Sequence, residues 1–363
     1  MIRLIKPYIS FAEVEEDFRE IFDSGILTKG KHVNALREDI ARYTAARHAI
    51  MTTSATTALS TSLKILEVEQ GDEVVVSDFS FPATANVVED IGAIPVFADV
   101  SLETFNMLPE ELEKKITPKT KSVIFVDAFG NPSGLHSIKN ICNKHAIPLI
   151  EDAACAIGSS ENSEKCGKVA DLTCFSFHPR KLLTTGEGGA ITLDDDNLAE
   201  LLEIKLNHGA RIADNGTHDF VNYGYNYRMS ELQALMGRKQ LIKLDDIVNH
   251  RNEVKESYRQ ALEPLGFEIQ ITGPDVRHNC QSIVFKVPQG TNRDTLIKLL
   301  RNHGIETTIG TYCLSGGTYY AGKYNSIQRN SDFLERNTIT FPCYMDIDTS
   351  YISAKVEKLI KNI

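Results

Sequence analysis

Short apolar runs alternate with longer helix-patterned stretches between about residue 30 and residue 195. Runs of four to seven residues are typical of strands buried on both faces of a sheet, and the stretches between them are long enough for crossover helices. Their alternation predicts an α/β fold with a mostly parallel sheet. The predicted strands are Glu73–Ser77, Ile94–Phe97, Ser122–Val126, Ile147–Ile150, Cys174–Phe177 and Gly189–Leu193.

A different pattern begins near Ser230, where one long or gently broken helix is predicted as far as Leu262. A strand (Gln281–Val287), a helix (Asn292–His303) and a final helix from about Ser350 to the end follow. The length of 363 residues suits two domains rather than one. We therefore expect an N-terminal segment and large domain in residues 1–244, and a smaller α+β domain in residues 245–363.

Charge and cysteine usage exclude several classes of protein. The formal net charge is −10 and no block of Lys or Arg interrupts it, so nucleic-acid binding is not expected. Seven cysteines without a CxxC pair indicate reduced thiols, with neither a disulfide framework nor a metal site. The sequence has no apolar leader and no run of membrane-spanning length, so we expect a cytoplasmic protein without membrane contact.

Small hydroxyl residues open a predicted helix at Thr52–Ala58. Free N–H groups and the positive dipole end at such a helix start bind phosphate, although Ser and Thr there often serve only as a cap. Acidic residues follow the strand that ends at Ile150, at the sheet edge where open α/β sheets bind ligands. A carboxylate there can pair with a protonated pyridine nitrogen, and alternation along the strand favours Asp152 over Glu151.

A lysine lies in the loop Ser176–Gly189, among apolar, Thr and Gly residues. A partly desolvated lysine is a nucleophile toward an aldehyde, so Lys181 is the candidate for covalent catalysis. His178 is a possible site residue, although a structural role is favoured. The Tyr- and Asn-rich stretch Asn222–Leu232 is typical of contact with a ligand or a partner chain.

These segments together resemble the DegT/DnrJ/EryC1/StrS family of pyridoxal-phosphate (PLP) sugar aminotransferases, and the resemblance covers essentially the whole chain. It implies PLP fold type I, the aspartate-aminotransferase-like architecture, with a large and a small domain. The motifs that carry it are Ile5–Pro7, Gly71–Val74, Ser80–Asn86, Gly92–Asp99, Glu151–Ala154, the lysine loop with Gly186–Gly189, and Gly224–Arg228.

The resemblance also implies roles for individual residues. Lys181 would carry PLP as a Schiff base and move protons, while Asp152 would bind the pyridine nitrogen. Asn226 would reach the phosphate of the partner subunit, so that a homodimer would share its active sites, and Arg228 would fix that loop. The other implied cofactor contacts are Phe81 on the ring face, Ala55, Thr56 and Ser176 at the phosphate, and Cys155 near the ring hydroxyl, where many members have Gln or His.

The implied reaction is ping-pong transfer of an amino group from an amino acid, by resemblance glutamate, to a nucleotide-diphosphate keto sugar. Lys181 favours transamination, because the dehydrating branch of the family has His in its place. Two alternatives stay open, namely a cyclitol or amino-acid aminotransferase and a PLP-binding regulatory protein without turnover. Substrate contacts are expected from the loops 208–225 and 305–325, which contain His208, Arg211, His218, Tyr312, Tyr319, Tyr320 and Lys323.

Overall fold

The computed structural model of the chain describes residues 1–213 and 216–361. Its α-helices are α1 (Glu15–Ser24), α2 (Lys31–Thr44), α3 (Ala55–Ile65), α4 (Ala83–Asp90), α5 (Pro109–Lys115), α6 (Leu135–His145), α7 (Asp196–Leu206), α8 (Glu231–Leu241), α9 (Leu244–Leu262), α10 (Arg293–Asn302), α11 (Thr318–Tyr324), α12 (Arg329–Asn337) and α13 (Thr349–Ile360). The end of the predicted final helix, residues 362–363, lies outside the described residues.

The strands vary from two to seven residues in length. They are β1 (His48–Thr52), β2 (Glu73–Ser77), β3 (Phe79–Ser80), β4 (Ile94–Ala98), β5 (Thr120–Val126), β6 (Leu149–Asp152), β7 (Ser160–Glu161), β8 (Glu164–Lys165), β9 (Leu172–Ser176), β10 (Gly189–Leu193), β11 (Ala210–Ile212), β12 (His218–Phe220), β13 (Glu268–Ile269), β14 (Val276–Arg277), β15 (Ile283–Lys286), β16 (Thr308–Ile309), β17 (Tyr312–Cys313) and β18 (Thr338–Phe341).

A seven-stranded sheet in the order β1-β10-β9-β6-β5-β2-β4 forms the centre of the large domain. The strands from β9 to β4 pair in parallel, while β10 pairs antiparallel with both β9 and β1. Apolar clusters cover both faces, as expected for strands that read as continuous apolar runs. The predicted mostly parallel sheet is confirmed, and β1 joins it at one edge.

One predicted strand begins later than expected. The apolar run Ile147–Ile150 suggested a strand from residue 147, but β6 occupies Leu149–Asp152. Pro148 has no N–H to give to a ladder, although its carbonyl accepts a hydrogen bond from Val123. Glu151 and Asp152 are therefore the last two residues of the strand and do not follow it.

The smaller antiparallel sheet has the order β13-β15-β18-β16, and α9, α10 and α13 contribute to the core that packs on it. The predicted long helix breaks at Ile242 and Lys243 into α8 and α9. Leu244 and Val248 of α9 belong to a core of the large domain, whereas Tyr258 and Leu262 belong to the small one. One helix therefore connects the two cores.

The N-terminal segment also reaches the small sheet's neighbourhood. The N–H of Ile2 donates to Gly304 O at 2.7 Å, and Leu4 O accepts from the N–H of Cys343 at 3.0 Å. The domain division at residue 245 stays a prediction. No helix in the described part of the chain is long and apolar enough to cross a lipid bilayer.

Candidate active site

Lys181 lies in the loop between β9 and β10, above the carboxyl end of the parallel strands. A tight turn precedes it, in which the N–H of Lys181 donates to His178 O at 2.8 Å and the N–H of Arg180 donates to His178 Nδ1 at 3.2 Å. His178 thus shapes the turn, and burial lowers the pKa of its imidazole. The amine of Lys181 contacts Cys155 Sγ at 3.0 Å.

Asp152 ends β6 with its carboxyl group buried. Oδ2 accepts a hydrogen bond from Thr84 Oγ1 at 2.8 Å, and Oδ1 accepts from the N–H of Ala154 at 3.2 Å. Burial raises the pKa of Asp152, while these two donors and the charge of Lys181 act in the opposite direction. Among the described residues, Lys181 is the basic side chain whose charge acts on Asp152, and no direct ion pair joins the two. Asp152 is therefore a buried carboxyl group with two neutral donors and an amine nearby.

Glu151 shares the strand but projects from the opposite face, as alternation along the strand requires. Its Oε2 accepts from Thr173 Oγ1 at 2.7 Å and from the N–H of Gly167 at 3.2 Å. The buried carboxyl of Asp127 lies nearby, and burial raises the pKa of both groups. Glu151 is therefore engaged away from Lys181.

The start of α3 forms a cradle of unused N–H groups. Ser54 caps the helix by accepting from the N–H of Thr57 at 3.1 Å. The N–H groups of Ala55 and Thr56 have no acceptor within the described residues. Free N–H groups at a helix start are the usual protein site for a phosphate.

Gly189 brings this cradle against the sheet. A Cβ atom at Gly189 would lie 2.7 Å from Thr52 Oγ1 and 2.8 Å from Ala55 N, so only glycine allows the approach. Its partner in the adjacent strand is Ser176, at the end of β9. The predicted phosphate contacts Ala55 and Ser176 therefore both lie next to this glycine.

A pocket of about 200 Å³ opens beside Lys181, between the large and small domains. Phe81, Cys155 and Lys181 line it together, and Phe81 is 65% exposed. The ring of Phe81 meets Tyr312 edge-on, with centroids 6.3 Å apart. The small domain contributes polar side chains, which are Gln281, Ser282, Thr308, Thr311 and Thr340.

The loop that contains Asn226 lies next to the hairpin formed by β11 and β12. Asn226 is exposed, and its side chain has no hydrogen-bond partner among the residues that the structure describes. Arg228 donates to Asn207 Oδ1 at 3.1 Å, which ties the loop to the end of α7. Residues 214–215 of the expected substrate loop 208–225 lie outside the described residues.

Three of the expected substrate contacts form hydrogen bonds inside the chain. Lys323 and the Tyr319 hydroxyl donate to Glu89 Oε2 at 2.6 and 3.3 Å, and the hydroxyl of the buried Tyr320 donates to Asn86 Oδ1 at 2.6 Å. Tyr312, Tyr319 and Tyr320 also line a separate pocket of about 300 Å³ close to Phe81. The sequence analysis grouped these tyrosines because their spacing does not show which hydroxyl groups form hydrogen bonds within the chain.

The model of the DegT/DnrJ/EryC1/StrS aminotransferase family matches residues 10–360. The chain belongs to this family. The spore coat polysaccharide biosynthesis protein SpsC of Bacillus subtilis is 31% identical, with 98% of this chain and 96% of that protein aligned. The GDP-perosamine synthase of Vibrio cholerae is 32% identical, with 85% and 84% aligned.

Solved structures agree with the family assignment. Helicobacter pylori PseC, an aminotransferase involved in the biosynthesis of pseudoaminic acid, superposes with a TM-score of 0.94 at 25% identity over 100% of both chains. The PLP form of Spr1654 from Streptococcus pneumoniae, described as a sugar aminotransferase, gives 0.91 at 25% identity over 99% of this chain and 98% of that chain. The protein is a PLP-dependent aminotransferase with the predicted fold.

The residues described above fit this cofactor. The buried Asp152 carboxyl makes no direct ion pair within the described residues, and a protonated ring nitrogen would supply one. The free N–H groups of α3 suit the phosphate, and the amine of Lys181 suits the aldehyde. The sequence did not single out Thr84, which holds Asp152, although it lies in the quoted motif Ser80–Asn86.

Proposed function

We propose that this aminotransferase moves an amino group from an amino acid, glutamate, to a nucleotide-linked keto sugar in a ping-pong cycle. The observation that carries the proposal is that the Lys181 amine lies close enough to the buried Asp152 carboxyl group for its charge to act on that group. An amine that forms a covalent link and a carboxylate that holds a pyridinium are the two groups on which PLP chemistry depends.

The carboxylate of Asp152 holds the proton on the ring nitrogen, and Thr84 orients it through the hydrogen bond to Oδ2. PLP when bound serves as the electron sink for the carbon that loses its proton. The N–H groups of Ala55 and Thr56, with Ser176, bind the phosphate end and so fix the distance to Asp152. Phe81 covers one face of the ring with its exposed side.

Lys181 Nζ would be the nucleophile toward the cofactor aldehyde, and its free amine would then act as the base that takes the proton from the substrate carbon. Cys155 Sγ lies 3.0 Å from this nitrogen, and it would contact the ring hydroxyl of the bound cofactor. Leu4, Phe129 and Phe341 give the pocket an apolar wall that limits the entry of water.

The charges around the pocket support an acidic amino donor. Arg180, Lys181 and Arg251 line it, and no described Asp or Glu does. Arg251 is buried, and its hydrogen bonds go to Tyr8 Oη and to three backbone carbonyls rather than to a carboxylate. A volume of about 200 Å³ is smaller than typical drug-sized sites and suits an amino acid such as glutamate.

Support for a nucleotide-linked keto sugar comes from the relatives, since one is named a GDP-perosamine synthase and another acts in pseudoaminic acid biosynthesis. The pocket beside Phe81, with Tyr312 and Tyr319, offers aromatic surface outside the inner pocket for the larger substrate. Such substrates place the enzyme in the cytoplasm, in the biosynthesis of a polysaccharide.

The active form is a homodimer with shared sites. The hairpin of β11 and β12 exposes apolar side chains, with Ile212 at 70%, Phe220 at 68% and the following Tyr223 at 65%. An apolar surface of this kind is typical of an interface. Asn226 follows in the same loop with a free amide group, which reaches the phosphate of the partner subunit.

The covalent role of Lys181 is testable with purified protein. We expect a yellow holoenzyme from which borohydride fixes the cofactor on Lys181, as located by peptide mass mapping. Lys181→Ala should lose both the fixed adduct and the half-reaction with glutamate, because no other amine lines the inner pocket among the described residues. An adduct on a different lysine would contradict the assignment.

Two further measurements separate this function from its alternatives. A single half-reaction with glutamate distinguishes an enzyme from a PLP-binding protein without turnover. A screen of UDP-, dTDP- and GDP-linked keto sugars, with keto cyclitols and 2-oxo acids in parallel, then identifies the acceptor class. Turnover of only the cyclitols or oxo acids would contradict the proposed acceptor.

A further inference from the structure

We propose that Gln281 is a positioning residue for Lys181. It lies two residues before β15 and one hundred residues from the lysine in sequence, and the inference rests on the proposed role of Lys181. Gln281 is 5% exposed, and it also lines the pocket beside Lys181. Its amide group hydrogen-bonds to the backbone on both sides of the lysine.

The two hydrogen bonds form a bracket around one residue. Oε1 of Gln281 accepts from the N–H of Leu182 at 2.9 Å, and Nε2 donates to Arg180 O at 2.8 Å. These are the groups that immediately follow and precede Lys181 in the backbone. The bracket therefore fixes the Cα position and the direction in which the lysine side chain leaves the loop.

Gln281 is itself held by its neighbours. Its N–H donates to Asn279 Oδ1 at 2.9 Å, and its carbonyl accepts from Arg251 Nη2 at 2.8 Å. Cys280 between them has a φ of 55°, in the left-handed region that non-glycine residues rarely occupy. Backbone strain of this kind is typical of functional sites, where the surrounding contacts maintain it.

Asn279 extends the same support to the loop after Asp152. Its Nδ2 donates to the carbonyls of Cys155 and Ile157, both at 2.8 Å. One strained segment of the small domain thus holds the loop of Lys181 and the loop that carries the Cys155 contact. Reacting groups need positions accurate to a fraction of an ångström, and a displacement of about 1 Å can cost roughly 100-fold in rate.

The chain contains a matched control for this role. Gln240 is also buried, and its Oε1 and Nε2 bond the N–H and the carbonyl of Thr184, at 3.1 and 2.6 Å, in the same loop. Gln281→Leu and Gln240→Leu therefore remove the same group and the same kinds of hydrogen bond from one loop. Only Gln281→Leu releases the backbone that flanks Lys181.

Both holoenzyme variants are compared with the wild type by thermal unfolding, by borohydride fixation with peptide mapping, and by the glutamate half-reaction. For Gln281→Leu we expect a loss of about 10- to 100-fold in the rate constant at saturating glutamate, with KM within about threefold. The pH at which the absorbance of the lysine-linked cofactor changes should also shift. Gln240→Leu should change the rate constant by no more than about threefold and leave the pH of the absorbance change where it is in the wild type. This should hold even if its unfolding midpoint falls as far as that of Gln281→Leu.

Equal kinetic effects of the two leucine variants, or wild-type kinetics for Gln281→Leu, would overturn the inference. If Gln281→Leu does not fold, Gln281→Glu decides, since it keeps the acceptor for Leu182 and loses the donor to Arg180. An intermediate loss supports the bracket, and wild-type kinetics and absorbance oppose it. A wild type without cofactor on Lys181 would instead refute the proposed function, so the two failures are distinguishable.

Discussion

Asp152 is a buried carboxyl group with two neutral hydrogen-bond donors, and its neighbour Glu151 is buried with two donors of its own. Consecutive residues of one strand thus carry the same functional group into opposite faces of the sheet. On one face the charge of the Lys181 amine acts on Asp152, whereas on the other face Glu151 lies beside the buried carboxyl group of Asp127. Asp152 and Glu151 carry the same functional group, so the side chains around each carboxyl group distinguish the candidate cofactor contact.

We predict that Asp152→Asn keeps the cofactor but slows the glutamate half-reaction by roughly 100-fold or more, since a neutral amide cannot hold the ring nitrogen protonated. Stopped-flow absorbance of the half-reaction measures the effect. Glu151→Gln is the control, because it makes the same change on the opposite face. A half-reaction slowed as much by Glu151→Gln as by Asp152→Asn would refute the assignment.

At the scale of elements, Asp78 joins the turn between β2 and β3 to the segment after β17. Its Oδ1 accepts from the N–H of Ser315 at 2.7 Å, and its Oδ2 accepts from Ser315 Oγ at 2.8 Å. Burial raises the pKa of Asp78 to about 6, even though these donors lower it. The folded protein therefore binds a proton here more tightly than the unfolded chain does.

Linkage then gives a direction for the pH dependence. A raised carboxyl pKa means that the contribution of Asp78 to the free energy of unfolding falls as pH rises from about 4 to about 6, by about 3 kcal/mol, and is constant above. We predict that Asp78→Asn gains stability relative to the wild type across this range. Urea unfolding at pH 4, 5, 6 and 7 measures the difference. A stability difference that is constant with pH would contradict the prediction.

The elements themselves were largely predictable, because apolar runs and helix periodicity are local properties. The six predicted strands of the large sheet are present with shifts of a few residues. The edge strand β1 was missed, and Gln281 was placed inside a strand that begins only at Ile283. Gln281 leaves the ladder because its partners, Arg180 and Leu182, are about one hundred residues away, and local patterns carry no information on such contacts.

At the scale of the whole molecule, the single chain has an exposed apolar hairpin next to the loop of Asn226, whose side chain has no hydrogen-bond partner within residues 1–213 and 216–361. The motifs led to the prediction of Lys181 and Asp152 as cofactor residues, because Asp152 ends β6 and Lys181 lies in the loop that follows β9. The distribution of a site between two chains depends on surfaces, which a sequence pattern describes poorly. The family resemblance supplied that expectation, and subunit exchange tests it.

We predict that two inactive variants, Lys181→Ala and Asn226→Asp, complement one another. The first disables the chain that holds the cofactor, and the second places a negative charge beside the partner's phosphate. Half of the randomly exchanged dimers are mixed, and each mixed dimer has one intact site, so activity should rise to about a quarter of the wild type. Exchange demonstrated by mass, without any recovered activity, would show that Asn226 serves its own chain.

The helix α9 begins in the core of the large domain and ends in that of the small one. Its Arg251 donates hydrogen bonds to the Tyr8 hydroxyl and to the carbonyls of residues 280, 281 and 343. Its 19 residues make a rod of about 28 Å. Tilting such a rod by about 10° at its first turn would carry its far end through about 5 Å. The residues that pack on its far end would move with it. Cys280 and Gln281, whose carbonyls accept hydrogen bonds from Arg251 near the middle of the helix, would move less. A bend at the first turn of α9 would therefore displace the far end of the helix more than the residues that hold the lysine loop.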